Sequence, residues 1–291
     1  MNPVLPSSQR PAAERAQIIS EALPYIRRWR GQTIVIKYGG AAMTDAALQE
    51  TVMGDIALLH YVGLKPVVVH GGGPEISRLC RELGIEPQFV DGLRVTDEAT
   101  MRATEMALGQ IGKNIARGLG EKGAPAVGLS GKDGHLLTAR KIAGNWGLVG
   151  EIEAVEPALL NTLAKESFVP VVTPVAPGAD GATYNVNADS AAAAIATALG
   201  AAKLLLLTDV AGLYRDFSDK DSLIAELNVN EAEELLQSGA VGEGMIPKVR
   251  CCMDAVRGGV ARAHIVDGRA PHAILIELFT DHGCGTMISE C

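Results

Sequence analysis

The 291-residue chain lacks several things, and each absence narrows what it can be. No apolar run approaches the roughly 20 residues that cross a bilayer, so no membrane span is expected. There is no basic surplus and no basic run: Lys and Arg number 26 against 34 Asp and Glu, for a net charge of −8. Nucleic acid is therefore not expected as a partner. The five cysteines (Cys80, Cys251, Cys252, Cys284 and Cys291) show no CxxC and no metal-ligand spacing, and their odd number fits reduced thiols in a cytoplasm. The opening MNPVLPSSQRPAAER has no apolar signal core, which also argues for a cytoplasmic protein.

Named phosphate motifs are missing too. A dinucleotide fingerprint starting at Gly71 would need glycine or alanine at position 76, and Ile76 stands there. Gly131-Lys132 is followed by Asp133 and lacks the upstream glycine of a P-loop. No fixed-period repeat and no clean linker divides the chain.

What is present is alternation. Apolar residues make up 47%, enough for a sizeable core in one large α/β domain or two lobes sharing a sheet. Residues 1–12 read as a loose tail and 13–29 as an amphipathic helix disturbed at Pro24. TIVIKYGG (33–40) reads as a strand, 45–64 as a helix, PVVVHGGG as a second strand and PEISRLCRELG as a second helix with Pro74 in its first turn. EPQFVDGLRVT (86–96) reads as a hairpin, 97–121 as a helix, and APAVGLSG as a strand. Strands and turns follow to 153; then VPVVTPVA (169–176) is a strand, 189–200 a helix, and KLLLLTDVAGLY (203–214) a strand running into a loop. Helices at about 230–238 and 245–258 and a strand ARAHIVDGR close the pattern. Continuous apolar strands alternating with helices predict a mainly parallel sheet covered on both faces.

The stretch VVVHGGGPE (67–75) places three glycines where a strand hands over to a helix. Each costs backbone entropy, and such runs serve to bring N–H groups close to an anion. IKYGG ends the same way. If these two strands are parallel neighbours, Gly39, Gly40, Gly71 and Gly72 flank one anionic group at the carboxyl edge of the sheet, with Lys37 beside it. Either segment alone reads more readily as a tight strand–helix turn with a snorkelling lysine; the pair favours a site. NVNAD (185–189), TDVAGLY (from 208) and EGMIPKV (243–249) each allow a bland reading as well: a helix cap at Asn187 or Asp189, an ordinary loop at Asp209, a solvated Lys248.

These segments resemble a known family. IKYGG, VVVHGGGPEI, DGLRVTD, YNVNADSAA, LLLLTDVAGLY and GEGMIPKV occur in this order and at these spacings in the N-acetylglutamate kinases of the amino acid kinase family, and AHIVDGR…PHAILIELFTDHGCGTMI resembles its arginine-sensitive branch. The likeness spans about residues 14–289, with Cys284 where those relatives usually carry isoleucine. It implies a three-layer αβα sandwich around an open sheet. Residues 1–30 would be a tail and assembly helix, 31–180 an acyl-acceptor and dimerisation lobe, and 181–291 a nucleotide and effector lobe. The implied reaction moves the γ-phosphoryl of ATP to the γ-carboxylate of N-acetyl-L-glutamate, in arginine biosynthesis. A carboxylate is already ionised at pH 7, so no general base is required; charge neutralisation and positioning are.

By resemblance, Lys37 and Lys248 would contact the transferring phosphoryl group, and Asp189 would hold both lysines. Gly40, Gly71 and Gly72 would give N–H groups to phosphoryl or acceptor carboxylate, in an oxyanion-hole-like role. Arg94 would pair with the acceptor's α-carboxylate; Asn185, with Asn187 in the same segment, would meet its N-acetyl end. Asp209, Gly212, Leu213, Tyr214, Gly242 and Gly244 would enclose the nucleotide. Mg2+ would be held through the phosphates, with no protein metal ligands. His70 is given a structural role. Arginine would inhibit at His264, Glu277 and Gly283, and the helix at 13–29 would join dimers into a hexamer through Ile18, Ile19, Leu23 and Ile26. Likeness to cyanobacterial and plant members adds a PII signalling protein as a partner. Two other classes stay in view: a nicotinamide oxidoreductase, which would need the missing fingerprint, and a non-catalytic arginine sensor, which would tolerate loss of Lys37, Asp189 or Lys248. Free glutamate, aspartate, carbamate and UMP kinases share the fold, and only the motifs separate them.

Overall fold

The computed structural model describes residues 11–290 apart from 91 and 217; most of the predicted tail, Cys291 and one residue of the predicted hairpin lie outside them. Elements run in the order α1 (Ala12–Trp29), β1 (Thr33–Tyr38), α2 (Ala46–Tyr61), β2 (Lys65–His70), α3 (Gly73–Glu82), β3 (Phe89–Val90), β4 (Leu93–Arg94), α4 (Glu98–Glu121) and β5 (Ala126–Ser130). There follow β6 (Leu137–Lys141), β7 (Val149–Val155), α5 (Ala158–Lys165), β8 (Val169–Thr173), β9 (Val175–Pro177), β10 (Thr183–Val186) and α6 (Ala188–Ala198). The chain continues through β11 (Lys203–Thr208), β12 (Glu226–Asn228), α7 (Val229–Gln237), α8 (Ile246–Arg257), β13 (Arg262–Asp267), α9 (Ala273–Phe279) and β14 (Thr286–Ser289).

Eight strands form one sheet in the order β12-β14-β13-β11-β1-β2-β8-β5, parallel except where β14 runs against β13. The central strands explain its two-sided burial. Val35, Val67, Val69, Leu204 and Leu206 face one apolar cluster with α5, α6, α7 and α8. Their neighbours Ile34, Ile36, Val68, Leu205 and Leu207 face another with α1, α2, α4 and α9. Period-2 alternation thus sends every second residue of an all-apolar strand into each layer, which gives the three-layer α/β sandwich. A smaller four-stranded sheet, β6-β7-β10-β9, lies against α6, and Tyr184 and Val186 of β10 join the first cluster. β3 and β4 make the predicted hairpin, with Phe89 opposite Arg94. Among the described residues, no helix is long and apolar enough to cross a membrane.

Several sequence expectations need adjustment. α1 runs unbroken through Pro24, because the carbonyl that loses its donor faces solvent at exposed Ser20. The predicted strand 169–176 is two, divided at Pro174, which has no N–H to continue a ladder. The strand beginning at Lys203 stops at Thr208. The short elements α5, β10, β12, α9 and β14 had no sequence signal strong enough to single them out.

Candidate active site

The site begins where β1 and β2 end. They are parallel neighbours with Lys37 beside Val69 and Tyr38 beside His70, so both glycine segments leave the sheet at one edge. Gly71 N–H donates to the Tyr38 carbonyl at 2.9 Å, which continues the ladder by one residue. That bond corrects one expectation: the Gly71 N–H is already engaged and is not offered to a ligand. The Gly72 position caps α3 with no side-chain partner, leaving first-turn N–H groups facing the cleft. A Cβ on Gly72 would sit 2.6 Å from Leu108 Cδ2 and from Ile111 Cδ1, so any larger residue there would have to displace those two side-chain ends on α4. Gly40 has φ +68° and lies against the Asp209 carboxylate, again a place for glycine.

Three charged side chains from distant segments meet at this edge. Lys37 Nζ lies 3.0 Å from Asp189 Oδ1, an ion pair without hydrogen-bond alignment. Lys248 Nζ donates to Oδ2 of the same carboxylate at 2.8 Å. Local structure explains how. Asn187 is the N-cap of α6, its Oδ1 accepting from the Asp189 and Ser190 N–H groups at 2.8 and 3.1 Å. The bland capping role therefore falls to Asn187, and Asp189, in the first turn, is left to face the lysines. Lys248 comes from the first turn of α8, which packs on α6. Burial pushes the Asp189 carboxyl up, but the two ammonium groups outweigh it and hold it below the ordinary carboxylate range. The carboxylate side chain is 6% exposed, against 11% for Lys37 and 22% for Lys248. One buried negative charge thus fixes two positive ones whose outer faces reach solvent, and the group carries a net positive charge.

These residues open onto a cleft of about 790 Å³ lined by Lys37, Gly40, Gly71, Gly72, Asn187, Asp189 and Lys248. A smaller pocket of about 200 Å³ shares Gly71, Gly72 and Asn187 with it and adds Arg94 and Asn185. Arg94 is anchored: its Nη2 donates to the Gly73 carbonyl and to Ser77 Oγ, each at 2.8 Å, and its guanidinium lies 4.7 Å from the Phe89 ring centroid. Its buried Nη1 has no partner. That is a charged donor held ready for an anion. Asn185 Nδ2 donates to Thr96 Oγ1 at 3.3 Å. Sequence reasoning missed Ser77, whose only signal is its place one turn into the helix after the glycines.

The predicted nucleotide residues lie beside this cleft without lining it. Asp209 directly follows β11 and lies next to Gly40. Leu213 is buried, its N–H donating to Thr286 Oγ1 at 2.8 Å, and Tyr214 bridges to Leu223. Gly212 packs against Thr286. The carbonyl of Gly242 accepts from Met245 N–H at 2.8 Å, so Gly242 and Gly244 shape the turn that delivers Lys248.

A second cluster lies away from the cleft, at the far end of β11 and β13. His264 Nδ1 stands 2.7 Å from Glu277 Oε1, the Cys284 N–H donates to Glu277 Oε2 at 3.0 Å, and Lys203 Nζ donates to the Glu277 carbonyl at 3.2 Å. Gly283 (φ +60°) abuts the carboxylate; a Cβ there would meet Oε1 at 2.7 Å. Trp29 of α1 closes the group, donating from Nε1 to the Leu278 carbonyl at 2.8 Å, and Tyr25 donates to Asp281 Oδ1 at 2.5 Å. The resulting pocket measures about 250 Å³. His264, Glu277 and Gly283, the residues that the resemblance assigned to the effector, thus lie in one cluster. Lys203 and Trp29 are additions: a lysine opening a leucine run reads as a strand end in water, yet it is 4% exposed.

Fold and site define an α/β protein that gathers cationic side chains and helix N-termini at the carboxyl edge of a parallel sheet. The chain belongs to the amino acid kinase family, whose profile matches residues 32–267. Among its relatives, the protein named acetylglutamate kinase in Syntrophomonas wolfei is 51% identical over 280 residues, covering 95% of this chain and 98% of that one. The protein of the same name in Nostoc punctiforme is 52% identical over 278 residues, covering 95% and 93%. A solved N-acetylglutamate synthase from Neisseria gonorrhoeae, complexed with coenzyme A and N-acetyl-glutamate, matches with TM-score 0.82 at 30% identity over 94% of this chain. The present chain spans 63% of that synthase's length. The same synthase complexed with coenzyme A and L-arginine gives TM-score 0.78 at 28% identity, covering 95% of this chain and 65% of that one.

Proposed function

We propose that this chain is an ATP-dependent acetylglutamate kinase, transferring the γ-phosphoryl of ATP to the γ-carboxylate of N-acetyl-L-glutamate. The observation that carries the reading is the convergence of Lys37 and Lys248 on Asp189 at an edge lined by glycines. An oxygen of the acceptor carboxylate attacks the γ-phosphorus, the bond to the β,γ-bridging oxygen breaks, and ADP leaves with the electron pair. Both reactants are anions, so the barrier is dominated by charge. Lys37 approaches the phosphoryl from β1 and Lys248 from α8, the latter easing charge on the leaving oxygen. Asp189 keeps the two ammonium groups apart from each other and aimed. The Gly72 N–H serves the equatorial oxygens, and Arg94 Nη1 takes the α-carboxylate of the acceptor in the smaller pocket. Asn185 and Asn187 border the N-acetyl end.

The nucleotide lies on the Asp209–Tyr214 and Gly242–Gly244 side. Mg2+ would come with ATP, held through the phosphates, and would supply charge neutralisation there. Among the described residues no group of three or more His, Cys, Asp or Glu could hold a metal ion. In this reading residues 31–180 supply the acceptor side and 181–291 the nucleotide side of one shared sheet. Arginine is the inhibitor at the Glu277 pocket, a reading supported by the family likeness and by the arginine complex of the synthase. Glu277 Oε2 already accepts from the Cys284 N–H and Oε1 lies beside His264, whose buried ring nitrogens have no hydrogen-bond partner, so arginine's guanidinium would share the carboxylate with the Cys284 N–H. A cytoplasmic hexamer is proposed from the same likeness, with support from Ile18, Ile19 and Leu23 on α1, which are 43%, 72% and 44% exposed. A PII-type partner rests on likeness alone.

The test is ADP release with each candidate acceptor, with the acyl phosphate trapped by hydroxylamine. ADP and hydroxamate are expected with N-acetylglutamate and ATP together, and not with glutamate, aspartate, carbamate or UMP. Turnover indifferent to N-acetylglutamate would overturn the reading.

A further inference from the structure

The three glycines after β2 solve one problem and create another. They let the backbone approach the reacting oxygens, but the Gly71–Gly72 peptide lies between two residues with almost no torsional preference. An oxyanion donor works only if its direction is set before the reaction. The sheet fixes the Gly71 N–H on Tyr38, yet no strand partner fixes the next peptide. We propose that His70 does so: it is a positioning residue whose Nδ1–H holds the Gly71 carbonyl and thereby aims the Gly72 N–H into the cleft. The inference rests on the phosphoryl-transfer reading of this site.

The geometry is specific. His70 is 0% exposed; its Nδ1 lies 2.9 Å from the Gly71 carbonyl oxygen and its Nε2 2.9 Å from Thr173 Oγ1. A carbonyl can only accept, so Nδ1 carries the proton. Burial lowers the ring's pKa to about 4, so the ring is neutral at working pH and Nε2 is an acceptor. Thr173 must then donate to Nε2. Its hydroxyl also lies 3.5 Å from the Leu108 carbonyl, a weaker alternative for its single proton. One tautomer satisfies every atom. A trans peptide holds its C=O and N–H antiparallel, and no peptide among the described residues is cis. Pinning the Gly71 oxygen toward the ring therefore turns the Gly72 N–H away from it, toward the cleft that Gly71 and Gly72 line. Helix α4 leaves room for the ring: a Cβ on Gly112 would sit 3.0 Å from Nε2 and 3.1 Å from Thr173 Oγ1. A histidine that only filled space would not need this chain of directed bonds from β8 through the ring to the glycine segment.

The experiment compares His70→Asn, His70→Gln and Thr173→Val with the native protein, using N-acetylglutamate and ATP. An Asn amide places a donor near the Nδ1 position, whereas Gln reaches the Nε2 position and leaves the Gly71 oxygen without one. His70→Asn should keep kcat within about threefold. His70→Gln should lower kcat by about tenfold, the size of one lost hydrogen bond, with KM for N-acetylglutamate nearly unchanged. Thr173→Val should fall between them. Equal kcat in the Asn and Gln variants, or a loss confined to KM, overturns the positioning role. Should the His70 variants fail to fold, the 15N spectrum of native His70 decides: the proton is expected on Nδ1, and a proton on Nε2 overturns the proposal. A native protein with no N-acetylglutamate-dependent turnover sinks the kinase reading instead, and this inference with it.

Discussion

Two buried carboxylates, Asp189 and Glu277, make a natural comparison. Each is drawn from the end of a helix and each is flanked by two basic side chains. At Asp189 the partners are lysines whose ammonium groups reach the cleft, and the carboxylate is where charge is balanced. At Glu277 both basic groups are themselves buried: His264 is 1% exposed and Lys203 4%. Burial is the largest influence on both, lowering His264 below its ordinary value and Lys203 to about 8, with Glu277 opposing each shift. The first group is an outward-facing cationic pair and the second is an inward, nearly neutral knot. An open pair suits a reaction in which negative charge moves between two anions. A closed knot joins segments: α1 through Trp29, β11 through Lys203, β13 through His264 and the loop before β14 through Cys284. The difference teaches that the same residue types serve chemistry or coupling according to which of them keeps a face to solvent.

The contrast breaks most easily at the open pair. Replacing Lys37 or Lys248 by Ala should reduce kcat by on the order of 10²–10³, the loss expected for one preorganised charge donor. The fold should persist, because each lysine retains a solvent-facing edge. Turnover near that of the native protein in either variant would mean that the pair is structural, like the Glu277 knot. Next in size is the acceptor pocket. Arg94→Lys keeps a charge but cannot hold Gly73 and Ser77 while presenting a further N–H, so KM for N-acetylglutamate should rise by about tenfold with kcat less affected. A rise in KM for ATP instead would place Arg94 on the nucleotide side.

The knot is probed by an effector. Glu277→Gln removes the charge that arginine's guanidinium is proposed to meet, and the arginine concentration for half-inhibition should rise by about tenfold or more, about the weight of one charged hydrogen bond. Native activity flat into the millimolar range would remove the effector role and leave the knot as architecture alone.

Much of this was legible in the sequence, and the reasons are local. Lys37 and the glycines at 39–40 and 71–73 stood at strand ends that come together if β1 and β2 are parallel neighbours, and they are. Asp189 and Lys248 followed from resemblance; nothing in residue chemistry alone distinguishes a lysine in the first turn of a helix from a solvated one. The role proposed for Arg94 also followed from resemblance, and its anchorage on Ser77 and Phe89 was not legible at all, because it depends on how the hairpin folds over α3. Assigning the Gly71 N–H to a ligand was an error of a kind sequence cannot avoid, because it takes the register of β1 against β2 to show that the ladder extends one residue further. Lys203 was hidden for the opposite reason. Its burial comes from α1 and α9, which lie far away along the chain and fold over it.

The smallest predicted effect tests whether the knot is as closed as its burial implies. Lys203 Nζ lies 4.9 Å from the centroid of the Trp29 ring, a cation–π contact, and donates to the Glu277 carbonyl. Burial holds its pKa at about 8, against about 10.4 in an unfolded chain. Between those values the folded protein binds fewer protons at this group than the unfolded one. The group's contribution to stability therefore increases with pH across that window, with a slope of at most about 1.4 kcal/mol per pH unit. Deprotonation also removes the cation from the face of Trp29. The chain has 2 tryptophans, and the other, Trp146, donates to the Val90 carbonyl far along the chain, so it supplies a background. Trp29 emission should change with a midpoint near 8, and Lys203→Met should abolish that step. A midpoint at about 10 or above, the ordinary range for lysine, would put the Lys203 ammonium in contact with water, and the knot would then be as open as the pair at Asp189.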